Sequence, residues 1–200
     1  MNLTRMSGAE RRRQIIHAAY EVILDKGLSE AATRDVTRRM DVSPGLLHHY
    51  FPSWGQLRAE AVRTFVMAEI EEIDGLLATT EAYELVACFT DWMAKDPAFR
   101  HWGLWLDAID AARRDPDLAA VVTTAYGAWH SVIASIIERR VAAGRGSCPN
   151  VEAAAWRIGA LIDGLAGVVA LGDVALDAEQ AKGLVRQQFD LELCADVSAA

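Results

Sequence analysis

No part of the 200-residue chain pairs a basic amino-terminal region with a long apolar segment, and no apolar run reaches the ~20 residues that span a bilayer. A secretory leader and a membrane partner are therefore not expected, and the chain is placed in the cytoplasm. Cysteine is scarce: Cys88, Cys148 and Cys194 are odd in number, far apart and without C-x-x-C spacing, which points to ordinary thiols and away from a disulfide framework or a zinc site. Sustained strand-like alternation between turn signals is missing throughout, so the expected fold is all-α. Also missing are a nucleophile with its base, paired carboxylates in a recognisable motif, a metal cluster and a phosphate loop, so neither an enzyme nor a cofactor is expected.

What is present is enough apolar material for a sizeable core, with 52% hydrophobic and 24% charged residues, and this excludes a disordered chain. The net charge of −8 is unevenly distributed. Residues 1 to 60 hold nine Lys and Arg against seven Asp and Glu, or +2, leaving eleven against twenty-one, or −10, for the remainder. A mildly basic head on an acidic body suits contact with a polyanion through the head alone, because phosphate neutralisation is local.

Helix-period apolar positions and their punctuation predict nine helices. The first runs from about Ala9 to Lys26, with Ile16, Ala19, Tyr20 and Ile23 on one face and Gly27 as its stop. A short second helix begins near Thr33, read as its N-cap, and ends near Met40. A third starts with Ser43 as cap and Pro44 in the first turn, where a missing amide hydrogen costs nothing, and ends at Tyr50 or Phe51. Ser53-Trp54-Gly55-Gln56 reads as a capping box opening a long connector helix to about Leu77. Five more are expected at about 81–95, 98–113, 118–143, 151–171 and 177–194, divided by Asp96-Pro97, Asp115-Pro116 and the stretch from Gly144 to Pro149. The expected domains are residues 1–55 and 56–200, with 56–78 as the connector.

Two short helices joined by a tight turn form a helix-turn-helix pattern, whose second helix enters the major groove. At 100° per residue, Leu47, Phe51, Pro44 and Tyr50 lie toward one side, and Gly45 and His49 lie opposite, flanked by Leu46 and His48. Gly45 permits close backbone approach, Leu46 suits a thymine methyl, and His49 can donate or accept at a base edge. His48 and His49 are not expected to bind metal, since adjacent helical residues diverge and no third ligand is near.

Arg11-Arg12-Arg13-Gln14-Ile15-Ile16, Gly27-Leu28, Thr33-Arg34-Asp35-Val36 and Val42-Ser43-Pro44-Gly45-Leu46-Leu47-His48-His49-Tyr50-Phe51-Pro52-Ser53 resemble the tetracycline-repressor (TetR) family. Ile162-Asp163-Gly164-Leu165 resembles the penultimate helix of its choline-responsive branch. The resemblance implies a nine-helix chain with a helix-turn-helix head, a homodimer formed by the last two helices, an operator of double-stranded DNA, and release when a small molecule shifts the fourth helix. It places Thr33, Arg34, Ser43, Pro44, Gly45, Leu46, His48, His49, Tyr50 and Trp54 at the DNA. The family usually has Tyr where this chain has His48 and a phosphate-binding Lys where it has Trp54. The indole N–H and the helix amides after Ser53 are expected to make a weaker phosphate contact there.

In the acidic body, Phe89, Trp92, Trp102, Trp105, Tyr126, Trp129 and Trp156, with Asp163, are the candidate ligand-binding set. An indole-lined interior with a carboxylate suits an apolar or cationic effector. Asp163 has an alternative partner in Arg157. Small residues Gly159, Ala160, Gly164 and Gly167, with Leu184 and Phe189 of the last helix, are the expected dimer face. The alternative function is a DNA-binding adaptor of the same fold that recruits a protein and has no small-molecule ligand.

Overall fold

The computed structural model describes residues 7–95, 100–171 and 176–193. Among the described residues there are nine α-helices and no strand: α1 Gly8–Lys26, α2 Thr33–Met40, α3 Pro44–Tyr50, α4 Trp54–Ala78, α5 Leu85–Met93, α6 Arg100–Ala112, α7 Pro116–Ala142, α8 Val151–Ala170 and α9 Ala178–Glu192. The chain divides into two compact units, Met1–Met67 with Leu104–Thr124, and Ala68–Gly103 with Ala125–Ala200. Cys194 and the Asp96-Pro97 breaker lie outside the described residues.

Local chemistry explains the helices of the first unit. Ser7 caps α1 by accepting the Glu10 amide at 3.1 Å, and Gly27, at φ 82°, ends it by donating its N–H to the Ile23 carbonyl. The apolar stripe of Ile15, Ile16, Ala19, Val22 and Ile23 is buried with Val36, Leu47 and Leu57. α2 corrects one cap: Ala32, not Thr33, holds the N-cap position, and Thr33 is already helical. The start is fixed by Asp35, whose Oδ2 accepts the Ala32 amide at 3.1 Å while its Oδ1 accepts Lys26 Nζ at 2.6 Å. These bonds satisfy a carboxylate whose side chain is only 4% exposed. The Lys26 hydrogen bond, outweighing the opposing effect of burial, holds the Asp35 carboxyl below the usual range.

In the second unit Phe89 and Phe189 meet edge to face, with centroids 6.0 Å apart, among buried Leu85, Ile136, Ile137, Ile158 and Val185. Arg139 of α7 donates to the Leu77 and Thr80 carbonyls at 2.7 and 2.8 Å, satisfying acceptors at the end of α4. Gly146, at φ 126°, lets the α7–α8 turn pass the end of α9; a Cβ there would sit 2.3 Å from the Leu193 carbonyl oxygen. α7 begins at Pro116, two residues earlier than expected, because Asp115 caps it.

α7 and α8 are long and apolar enough to cross a membrane by length and composition. This corrects the expectation that no run reaches that length. Buried Leu118, Val121, Val122, Ala125, Val132, Ile133, Ile136 and Ile137 give much of α7's apolarity a place inside the protein.

Candidate nucleic-acid interface

The turn before α3 is made by Asp41 in the left-handed region, φ 52°, with the Val42 amide bonded to the Thr37 carbonyl at 3.1 Å. Leu47 and Phe51 are buried and anchor α3, while Ser43, Gly45, His48 and His49 are exposed. Pro44 is exposed, a correction to its placing on the packing side, because it opens the helix before the buried stripe begins. Leu46 and Tyr50 are half-buried, and the Tyr50 ring lies edge-on to His49 with centroids 5.1 Å apart. Ser43 makes no side-chain capping bond, so the helix start rests on Pro44 in its first turn and on the Leu46 amide bonded to the Ser43 carbonyl at 3.0 Å. Arg34 is exposed on the first turn of α2, with Thr33 half-buried beside it.

An ionic frame holds the head. Arg12 of α1 lies over the Phe51 ring at 4.9 Å and donates to Glu60 Oε1 at 2.9 Å; Arg63 donates to the same oxygen at 2.7 Å. The Arg63 hydrogen bond, with Arg12 acting the same way against the effect of burial, depresses the Glu60 pKa. On the next face of α4, Arg58 donates to Asp115 at 2.5 Å. Burial alone would raise the Asp115 carboxyl, but Arg58 and the two amides of the α7 cap outweigh it and the net shift is downward. At the start of α4, Ser53 Oγ accepts the Gln56 amide at 3.2 Å, so one amide expected to serve a phosphate already has a partner. Trp54 is half-buried. Sequence reasoning did not find the Arg58–Asp115 pair, since 57 residues separate its members and no pattern links them.

The aromatic set divides between the two units. Trp105 belongs to the first unit and is buried there, while the other predicted residues belong to the second. Phe89 is core packing against Phe189, and Trp92 is buried with its ring 5.5 Å from Trp129. Trp102 lines a half-open pocket of about 30 Å³ together with Met93, Ile162, Leu165, Val185 and Lys182. Trp156 corrects the expectation of an interior position: it is 50% exposed on the outer side of α8. It forms a second cluster with His130, at 4.9 Å between centroids, and Tyr126, at 6.5 Å. Tyr126 donates to Asp163 at 2.9 Å, and burial first, then the neighbouring carboxylate, pushes its phenol above the ordinary range. Arg157 is not the partner of Asp163 but of Glu192, to which its Nε donates at 2.6 Å.

Phe189 is fully buried within its own chain, so its placing on a dimer face is corrected: Val185, Phe189 and Leu193 are the inner side of α9. The outer sides carry Trp156, Ala160 and Gly164 on α8, Leu171 at its C-cap and Leu184 on α9, all exposed, with Gly159 and Gly167 half-buried.

Residues 15–61, which hold the helix-turn-helix, match the bacterial regulatory proteins of the tetR family, and residues 82–193, more than half of the chain, match the BetI-type transcriptional repressor C-terminal domain. The chain belongs to the TetR family. This TetR-family regulator is 28% identical over 187 residues to the HTH-type transcriptional regulator BetI of Cronobacter sakazakii, with 88% of each chain covered. A transcriptional regulator from Saccharomonospora viridis, solved in complex with choline, shares its fold at TM-score 0.80 and 24% identity, over 90% of this chain and 95% of that one. The multidrug binding protein EbrR, complexed with proflavin, superposes at TM-score 0.64 and 23% identity, over 90% of this chain and 99% of that one.

Proposed function

We propose that this TetR-family protein is a ligand-responsive cytoplasmic repressor that binds a palindromic DNA operator as a homodimer and is released by a small-molecule inducer. The observation that carries the reading is α3: Leu47 and Phe51 lock it to the head, and Gly45, His48 and His49 stand exposed on it. Residues 1–55 act as the DNA-binding domain and 56–200 as the ligand-binding and dimerising one. Thr33, Arg34, Ser43 and Tyr50 contact the backbone, and Gly45, Leu46 and His49 the bases. The exposed Ala160 and Gly164 on α8, with Leu184 on α9, support pairing with a second copy, because small residues let helices approach closely. Two heads then read half-sites ~34 to 36 Å apart on one face of the duplex.

The effector is apolar or cationic, and an organic cation is favoured. Trp156, His130 and Tyr126 with the Asp163 carboxylate combine ring faces and negative charge, the chemistry that recognises a quaternary ammonium. The solved choline complex of a similar regulator supports the same class. The cavity at Trp102 is too small for such a ligand unless Trp102 and Met93 repack.

Selection of the purified protein on a random duplex pool at two salt concentrations tests the reading. An inverted repeat bound with salt-dependent affinity, and released by choline or another organic cation, is the expected result. Binding that no small molecule relieves would favour the adaptor, and recovery of no sequence would overturn operator binding.

A further inference from the structure

Arg58 sits on the second turn of α4, eight residues after the end of the recognition helix α3. Its Nη2 donates to Asp115 Oδ2 at 2.5 Å, and the two side chains are only 20% and 16% exposed. The Arg58 Nε is buried with no hydrogen-bond partner among the described residues. Asp115 is engaged on both oxygens, for its Oδ1 accepts the amides of Asp117 at 2.9 Å and Leu118 at 3.2 Å and so caps α7. The turn between α6 and α7 also lies against the first turn of α4: a Cβ on Gly55 would be 3.7 Å from an Asp117 carboxylate oxygen and 3.9 Å from one of Asp115. A largely buried ion pair adds little net stability once desolvation is counted, and an incompletely satisfied guanidinium adds less. What such a pair does supply is a fixed geometry.

We infer that Arg58 and Asp115 are positioning residues for DNA binding: they tie the amino end of α4 to the start of α7 and thereby set the orientation in which α4 presents α3. Residues 51–53 alone join α3 to α4, and Phe51 among them is buried, so a rotation of α4's first turns carries α3 with it. The inference rests on the operator-binding reading of the preceding section.

One variant separates position from charge. Asp115→Asn retains an Oδ1 acceptor for the α7 cap, removes the tie to Arg58, and makes the region around the head more positive by one charge. Charge alone predicts tighter DNA binding. Positioning predicts binding weakened roughly tenfold. Arg58→Met should weaken binding to a similar degree, Arg58→Lys should retain most of it, and the double variant Arg58→Met/Asp115→Asn should be no worse than the poorer single one.

The measurement is fluorescence anisotropy on the duplex selected by the wild-type protein, with circular dichroism of each variant to establish its fold. Folded Asp115→Asn protein that binds as tightly as wild type, or more tightly, would overturn the inference. If Asp115→Asn does not fold, Arg58→Met and Arg58→Lys decide: equal affinity for the two would overturn it, and loss in the first with retention in the second would support it. A wild-type protein that selects no duplex overturns the operator reading itself, an outcome distinct from failure of the positioning role.

Discussion

His48 and His49 are neighbours on α3 and both are exposed, yet they leave the helix about 100° apart, so they cannot both address the same base edge. His49, opposite buried Leu47 and Phe51, is the one aimed away from the head's core. His49→Ala should therefore relax discrimination at one position per half-site by about 1–3 kcal/mol, read from binding to a set of singly substituted operators. Arg34→Ala removes a charge with no base to read and should weaken all sequences alike. A His49→Ala protein that keeps the full wild-type preference would show that this face of α3 does not meet the bases. The outward side of α3 was legible in the sequence from helical period alone, because Leu47 and Phe51 are one turn apart. The inward half of the ionic frame was not, because Glu60, Arg12 and Phe51 meet only once α1 and α4 are packed.

At the scale of helices, two devices hold the elements at their ends, and each has a measurable signature. Glu60 binds Arg12 of α1 and Arg63 of its own helix, and its folded carboxyl titrates below its ordinary value of 4.5. Stability from this group is thus fully present above that value and is lost as pH falls through the depressed folded one. Urea midpoints of wild type and Glu60→Gln should differ by a constant amount from neutral pH down to about 5 and converge in stronger acid. Convergence at neutral pH would mean that the pairs contribute nothing. Gly146 is the second device: Gly146→Ala puts a methyl group into the Leu193 carbonyl at a backbone angle that side-chain-bearing residues avoid. A loss of about 1–3 kcal/mol is expected by thermal or urea unfolding, with α9 detached first in hydrogen exchange.

For the molecule as a whole, the proposed pairing with a second copy makes a prediction about the outer faces of α8 and α9. α9 carries apolar residues on two sides, with Val185 and Phe189 turned into its own chain and Leu184 turned out. Trp156, half exposed, adds to the outward apolar surface on α8. Gly164→Glu, which puts a charge on the open side of α8 where a Cβ meets nothing within 4 Å, should leave the monomer folded and shift sedimentation from dimer to monomer. Operator affinity should fall with it, since each head alone reads one half-site. A dimer that survives Gly164→Glu would place the contact elsewhere.

Caps, breakers and apolar period are local quantities, and from them the sequence alone determined the all-helical class, the nine helices of the described residues to within a few residues and the α2–α3 motif, while the family came from the resemblance of the motif residues themselves. Two helix starts that shifted did so for reasons within reach of a few residues, Asp35 moving the cap to Ala32 and Asp115 drawing α7 back to Pro116. Only the tertiary structure decided that Phe189 faces inward and Trp156 outward, that the aromatic residues divide between two units, and that Arg58 meets Asp115. Helical period says which residues share a face but not which neighbour that face meets. On a helix with two apolar sides, such as α9, the choice falls to packing between residues distant in the chain.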